Sequence, residues 1–162
     1  METSLSQSAR RVQERLAALG FAFTVHELPG STRTAAEAAA SIGCSVAQIA
    51  KSLVFKDGGS GEPVLVVASG ENRVDLEKIR QAAGLNLEKA DGRFVKETVG
   101  FAIGGVPPVG HSRPLRTLLD PDLLQYRTIW AAAGTPFAVF ALKPQDLPAM
   151  TGGEWIEMAL QG

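Results

Sequence analysis

The sequence predicts one α+β domain over residues 1–162, built from a central mixed β-sheet with helices packed around it. Two features of the chain lead to this prediction. Segments with apolar residues at spacings of three and four alternate with runs rich in β-branched and aromatic residues, which favour strands. No repeat, low-complexity tract or linker separates these segments. A chain of 162 residues can also bury a core without disulfide bonds.

The predicted helices are marked by apolar periodicity and by residues that cap helix ends. The first ends at Gly20, and its apolar face consists of Leu5, Ala9, Val12, Leu16 and Leu19. Four more begin at capping residues, which are Thr34 (to Gly43), Ser45 (a short helix over 46–50), Asp75 (76–83, closed by Gly84) and Asp91 (to Thr98). A last helix is expected over 144–150.

The predicted strands lie between these helices and are bounded by glycine and proline. A strand over 53–55 follows the short helix, which places Lys51 at a helix-to-strand junction. The glycine-rich turn at 58–61 predicts a hairpin that pairs 52–56 with 64–68. The remaining expected strands are 21–28, 115–120, the two arms of a hairpin at 127–133 and 137–142, and 155–159, with a short turn or helix at 121–126.

Residues 100–113 combine four glycines, two adjacent prolines and a histidine behind a short apolar run. This composition predicts a strand that ends in a tight loop, because glycine allows close backbone approach and proline fixes φ. Loops of this kind can hold a ligand against main-chain groups. A turn that needs glycine only for its shape has the same composition, so composition alone does not separate the two interpretations.

Composition and charge exclude several classes of function. The net charge of −1 gives no overall basic field for a long nucleic-acid backbone, so DNA is not an expected partner and any nucleic-acid contact must be local. The single cysteine, Cys44, excludes an internal disulfide, fits a reducing compartment and is expected to be buried. One cysteine and two histidines are too few for a dedicated zinc site. Without a membrane-length apolar run or a signal peptide, the expected location is cytoplasmic.

The standard catalytic motifs are missing from the sequence. Ser60 lacks the second glycine of a nucleophile elbow, and the lysine of Lys51-Ser52 lacks the glycine that precedes it in a P-loop. A Cys-His pair would need Cys44 close to His111, which nothing local indicates. If the protein is an enzyme, its catalysis should depend on positioning and backbone electrostatics.

Four segments closely resemble the YbaK family, free-standing relatives of the editing insertion domain of bacterial prolyl-tRNA synthetase. The matching segments are Thr34-Ala35-Ala36-Glu37-Ala38-Ala39, Gln48-Ile49-Ala50-Lys51-Ser52-Leu53-Val54-Phe55, Asp75-Leu76-Glu77-Lys78 and Gly104-Gly105-Val106-Pro107-Pro108-Val109-Gly110. The resemblance runs over about residues 26–141. Its two diagnostic features are a lysine, matched by Lys51, and a Gly-x-x-x-Pro loop, matched by Gly104 and Pro108.

The resemblance implies a metal-independent deacylase, without a cofactor, that hydrolyses wrongly charged aminoacyl-tRNA, chiefly proline tRNA carrying a small amino acid. In the family a pocket holds the terminal adenosine and the aminoacyl group, and a ribose hydroxyl or a water completes the attack. Lys51 would then neutralise the terminal phosphate or the developing oxyanion, with Gly104 and Pro108 as the other catalytic positions. The substrate-binding positions would be Thr34, Gly105, Val106, Pro107 and His111.

The partner implied by the resemblance is the acceptor end of an aminoacyl-tRNA, with prolyl-tRNA synthetase as a further partner. From charge and position, a local basic rim for the acceptor stem is predicted at Arg73, Arg113 and Arg116. Core positions are predicted for Phe55, Val66 and Ile103, and packing positions for Trp130 and Trp155, although an exposed indole could stack on the terminal adenine.

Three alternatives stay open at this point. Lys51 could serve only as a cation at a helix C-terminus, where its interaction with the helix dipole would stabilise the protein by about 0.3–1 kcal/mol. The same pocket could belong to a regulatory module or synthetase partner that binds an aminoacyl or nucleotide group without turnover. A metallohydrolase is a third class, disfavoured by the shortage of ligands.

Overall fold

Eight strands form one mixed sheet at the centre of the molecule. The computed structural model describes residues 5–160, so residues 1–4 and 161–162 of the predicted domain lie outside the described residues. The strands are β1 (Val25–Glu27), β2 (Ile49–Asp57), β3 (Pro63–Ser69), β4 (Leu87–Lys89), β5 (Arg116–Leu119), β6 (Ile129–Ala132), β7 (Ala138–Leu142) and β8 (Glu154–Trp155). Their order across the sheet is β1-β7-β6-β2-β3-β5-β8, and β4 also pairs with β2.

The helices surround this sheet. They are α1 (Gln7–Ala18), α2 (Ala35–Ile42), α3 (Leu76–Ala83), α4 (Gly92–Val99) and α5 (Leu147–Thr151), with 3₁₀ turns at Val46–Gln48, Pro121–Gln125 and Pro144–Asp146. The predicted caps are present, because Thr34, Asp75 and Asp91 each accept backbone N–H bonds in the first turn of α2, α3 and α4. No helix in the described part of the chain is long and apolar enough to cross a membrane.

Both faces of the sheet are covered by apolar packing. The main core contains the buried face of α1, the buried residues of α4, and the side chains of Ala50 and Leu65 from β2 and β3. On the opposite face Val66 and Ile79 lie in a second cluster with α3, and α2 packs over Ile49 in a third. This arrangement confirms the α+β class and the predicted mixed sheet with helices around it.

Several predicted elements are confirmed, and others differ from the structure. The hairpin of β2 and β3 and the hairpin of β6 and β7 both form, each antiparallel. The strand expected over 21–28 is limited to Val25–Glu27, and no strand forms at the start of residues 100–113, where turns and bends dominate. β4 was not predicted, because its three residues carry no alternating pattern.

Three individual residues also differ from their predicted positions. Lys51 lies inside β2, because the short turn before it ends at Gln48 and the strand begins two residues before the lysine. Cys44 is only partly buried and packs beside the α2 cluster. Ile103 is 56% exposed and therefore lies outside the core, because it is part of a surface turn after α4.

The sheet has a gap beside β2. β3 covers one edge of β2 from Ala50 to Lys56. On the other edge, β6 pairs only with Ile49 and Ala50, and β4 pairs only with Phe55–Asp57. Residues 51–54 therefore have no strand partner on that edge within the described chain. The gap leaves room for a cleft in the middle of an otherwise continuous sheet.

Candidate active site

A cleft of about 230 Å³ opens at the gap in the sheet. We call it the central cleft. Its walls come from the loop before α2, from β2, from the loop after α4 and from β6 and β7. The residues used below are Thr32, Arg33, Thr34, Lys51, Ser52, Ile103, Gly104, Val106 and Trp130. Lys51 and Gly104, two of the three predicted catalytic positions, thus line the same cavity. A second, more apolar cavity of about 230 Å³ adjoins it along Ser52–Phe55 and contains Phe55 in its wall.

The loop that carries Gly104 is held by close contacts with the Arg33 side chain and with the Thr135 backbone. Gly104 has φ +96°, and a Cβ there would lie 2.9 Å from Cγ of Arg33. Gly105 lies directly against Thr135, whose backbone atoms would be 2.8–2.9 Å from an added Cβ, and its carbonyl accepts a bond from the Gly134 N–H. Val106 is buried in the main core. The loop is therefore held rigidly at the cleft by glycine-dependent close approach.

The Lys51 ammonium lies against two backbone carbonyls of the turn that follows β3. Its Nζ donates to the Asn72 carbonyl at 2.6 Å and to the Gly70 carbonyl at 3.4 Å. Burial lowers the pKa of Lys51; the nearby Asp120 carboxylate partly offsets this, whereas the Arg73 charge adds to the lowering. One ammonium donor position stays free for a ligand, because a lysine has three N–H groups.

The turn that holds Lys51 is itself fixed by a buried carboxylate. Asp120 is 1% exposed, and its Oδ2 accepts from the Ser69 N–H at 3.0 Å and from the Asn72 side-chain amide at 2.8 Å. The same Asn72 amide donates to Asp122 at 2.8 Å. These bonds connect the end of β3 to the turn after β5. This role of Asp120 is not predicted from the sequence, although Asp120-Pro121 is a recognisable cap signal.

We expect Asp120→Asn to lower the pKa of Lys51 further, because it removes the negative charge that opposes the effect of burial. The fraction of Lys51 that reacts with a small acylating reagent, followed by mass spectrometry across a pH series, measures this shift. Asp122→Asn is the matched control, since its carboxylate binds the same Asn72 amide. An unchanged Lys51 titration in a folded Asp120→Asn variant would contradict the electrostatic role of Asp120.

The other predicted site residues divide between two places. Thr34 lines the central cleft and also caps α2, with its Oγ1 accepting from the Glu37 N–H at 3.1 Å. Pro108, His111 and Arg113 line a separate open groove of about 700 Å³ beside α1. His111 Nε2 lies 2.6 Å from the Pro107 carbonyl, and burial lowers the pKa of this histidine. The segment from Gly104 to Pro108 therefore separates two cavities.

The three predicted rim arginines have different surroundings. Arg73 is close enough to the central cleft to affect the pKa of Lys51. Arg113 pairs with Glu62 at 3.0 Å, and Arg116 pairs with Glu154 at 2.9 Å. The structure therefore brings only Arg73 near Lys51, and the tRNA contact of all three stays a prediction.

Several residues of the cleft are not predicted from the sequence. Arg33 adds a second cation beside Gly104, and the exposed Ile103 separates the central cleft from its apolar neighbour. Trp130 packs against the α2 cluster, as expected, and also lines the cleft.

The hydroxyls of Thr32 and Ser52 are buried and have no hydrogen-bond partner within the described residues. The sequence signal that could have placed Ser52 in the cleft is its position directly after Lys51.

The charge in the cleft is positive. Its charged lining residues, Arg33 and Lys51, are both cations, and no carboxylate lines the wall in the described part of the chain. Over residues 5–160, no group of three or more histidine, cysteine, aspartate or glutamate side chains is placed to hold a metal ion. A small, largely apolar cleft with two cations and glycine backbone suits a small apolar side chain on a ligand that also carries an anion.

The chain is similar to one family model and to several known proteins. The model of the aminoacyl-tRNA editing domain matches residues 30–150. A crystal structure of a candidate trans-editing enzyme for prolyl tRNA synthetase is 50% identical, with a TM-score of 0.90, and the match covers 98% of this chain and all of that one.

Two curated proteins are also similar. The uncharacterized protein YwhH of Bacillus subtilis (strain 168) is 33% identical over 135 residues, or 83% of this chain and 85% of that one. EbsC of Enterococcus faecalis (strain ATCC 700802 / V583), a candidate Cys-tRNA(Pro)/Cys-tRNA(Cys) deacylase, is 29% identical over 126 residues, or 77% of this chain and 76% of that one. Because the domain model covers most of the chain, including the cleft, this protein belongs to the aminoacyl-tRNA editing domain family.

Proposed function

We propose that this protein is a metal-independent trans-editing hydrolase that removes a small amino acid from mischarged proline tRNA. The observation that carries the proposal is that Lys51 and Gly104, distant in sequence, line one small cleft at a gap in the sheet. The family and the trans-editing neighbour support hydrolysis of an aminoacyl-tRNA ester. Alanine, cysteine and 2-aminobutyrate are the expected amino acids.

Each part of the cleft has a proposed role in this reaction. The ester between the amino acid and the terminal ribose is already reactive, so the protein needs to position it and to stabilise the charge that develops on the carbonyl oxygen. Lys51 supplies a fixed positive charge for that oxygen or for the terminal phosphate. Gly104 and Gly105 allow main-chain groups to approach the ester, while Pro107 and Pro108 keep the loop rigid.

The size of the cleft supports a small amino acid. About 230 Å³ is below the range of typical ligand pockets, and Trp130 and Ile103 form part of its wall. One methylene changes the binding free energy by only about 1–3 kcal/mol, so discrimination among small side chains should be graded. Because EbsC is a candidate Cys-tRNA(Pro)/Cys-tRNA(Cys) deacylase, cysteine belongs in the test panel, and the trans-editing neighbour makes prolyl-tRNA synthetase a proposed partner.

A deacylation panel tests the proposal. Purified protein is incubated with proline tRNA charged with alanine, cysteine, 2-aminobutyrate or proline, and the remaining ester is measured over time. We expect hydrolysis of at least one of the first three, with correctly charged Pro-tRNA spared. We also expect the rate to be unchanged by a chelator, because among residues 5–160 no carboxylate or thiol lines the cleft.

Two outcomes would count against this proposal. Binding of a non-hydrolysable aminoacyl-adenosine without turnover of any charged tRNA would favour a regulatory binding module. Loss of hydrolysis with chelator, restored by added metal, would show a metallohydrolase instead.

A further inference from the structure

We propose that the unpaired edge of β2 at Ser52 binds the α-aminoacyl group of the substrate as a one-residue strand. The site is the part of the gap between β6 and β4 that faces the central cleft. The inference rests on the proposed function, because it assigns a subsite for the group whose ester is hydrolysed. It assigns a partner to the α-amino group common to all α-amino acids, which neither Lys51 nor the glycine loop accounts for, and adds a backbone donor for the ester carbonyl.

The direction of the Ser52 backbone follows from the pairing of β2 with β3. Two bonds at opposite ends of this pair, from Gly70 N–H to Ile49 O and from Asp57 N–H to Glu62 O, show that odd-numbered residues of β2 direct their backbone groups toward β3. Antiparallel pairs alternate, so Ser52 opposite Val67 is a non-hydrogen-bonded pair. The N–H and C=O of Ser52 therefore point away from β3 and into the gap.

These backbone groups lack partners within residues 5–160. The parallel pairing of β6 ends at Ala50, and β4 begins its pairing at Phe55. The backbone bonds of the surrounding loops also do not involve Ser52. A strand edge left open next to a cleft offers one backbone donor and one backbone acceptor, so it is a good binding position for a ligand.

Two buried side-chain hydroxyls support the same inference independently of the backbone. Ser52 Oγ and Thr32 Oγ1 are buried without a hydrogen-bond partner in the described chain, and both residues line the central cleft. Thr32 is only 6% exposed. Buried hydroxyls normally form hydrogen bonds. A ligand in the cleft can supply the missing partners once the Ser52 and Thr32 side chains rotate about χ1.

An α-aminoacyl ester has the right chemistry for this edge. Its ammonium is a donor and its ester carbonyl is an acceptor, joined through one Cα as in a peptide residue. In an antiparallel pair, two opposite residues exchange both N–H···O bonds. The substrate ammonium would donate to the Ser52 carbonyl, and the Ser52 N–H would donate to the ester oxygen that becomes negative during attack. The side chain would then stand out of the sheet plane, as in a strand.

Nuclear magnetic resonance with a non-hydrolysable analogue tests this inference. The probe is 3′-alanylamino-3′-deoxyadenosine, and the readout is amide hydrogen exchange and chemical shift. We expect the Ser52 amide to exchange rapidly in the free protein and at least tenfold more slowly in the complex. The Lys51 and Leu53 amides, which face β3, serve as internal controls and should keep their exchange rates.

A second probe, the 3′-propionylamino analogue, lacks the α-amino group and should bind at least about tenfold more weakly, because hydrogen bonds to charged groups are among the stronger ones. Ser52→Ala should weaken alanyl-analogue binding a few-fold while preserving protection of the residue 52 amide. Equal affinity for the two analogues, unchanged Ser52 exchange in a saturated complex, or no binding of the alanyl analogue would each overturn the inference. The deacylation panel measures turnover separately, so the proposed function can stand or fall independently.

Discussion

Lys51→Ala is expected to reduce the deacylation rate by about 10²–10³-fold, because removal of a single preorganised charge-stabilising donor has an effect of this size. The ammonium is held by the Asn72 and Gly70 carbonyls, so its position is fixed before substrate binds. Single-turnover hydrolysis of Ala-tRNA(Pro) measures the change. The effect should fall mainly on the chemical step if Lys51 acts on the developing oxyanion, and on binding if it contacts the terminal phosphate.

Lys51→Met is the matched control for loss of packing, since it retains a long apolar chain without the charge. It should melt close to the wild type and remain as inactive as Lys51→Ala. Arg33→Gln removes the other cation of the cleft. Its deacylation rate shows whether hydrolysis also depends on the charge of Arg33. Full activity in Lys51→Met would contradict the proposed role of the ammonium.

Gly105→Ala is expected to destabilise the protein by about 1–3 kcal/mol and to displace the cleft loop. The added methyl would lie 2.8–2.9 Å from three backbone atoms of Thr135, which cannot move aside as a side-chain end could. The bond from Gly134 N–H to the Gly105 carbonyl would also be strained. For a chain of this size the Tm should fall by roughly 2–4 °C per kcal/mol, and the deacylation rate should fall with it.

Gly43→Ala is a control variant for Gly105→Ala. It introduces the backbone strain of a non-glycine residue with positive φ, without a steric clash with neighbouring atoms. Gly43 has φ +89° at the end of α2, with nothing within 4 Å of an added Cβ. It should cost about 1 kcal/mol and leave the cleft intact, so its deacylation rate below the melting transition should match the wild type. If Gly105→Ala were as active and as stable as the wild type, the rigid-loop account would be wrong.

The sequence was sufficient for features that depend on local chemistry. The capped helices α2, α3 and α4 were predicted closely, because Thr34, Asp75 and Asp91 act on N–H groups within their own first turns. The β2–β3 hairpin was predicted for the same reason, since a glycine-rich turn joins its two strands. The family resemblance connected Lys51 with Gly104, which no local pattern could have done.

The missed features depend on contacts between distant segments. The gap beside β2 exists because β6 and β4 pair with opposite ends of one strand, which periodicity within a strand cannot show. The same holds for Asp120, whose carboxylate fixes the Lys51 turn from another strand end. Ile103 was placed in the core because of its side chain, whereas the path of the backbone exposes it at the cleft.

The central claim is that the cleft containing Lys51 and Gly104 hydrolyses the ester of mischarged tRNA. The most direct test is single-turnover hydrolysis of Ala-tRNA(Pro) with excess protein, comparing the wild type with Lys51→Met under identical conditions. The account predicts rapid loss of the ester with the wild type and a rate lower by about 10²–10³-fold with the variant. Hydrolysis at equal rates by both proteins would contradict it.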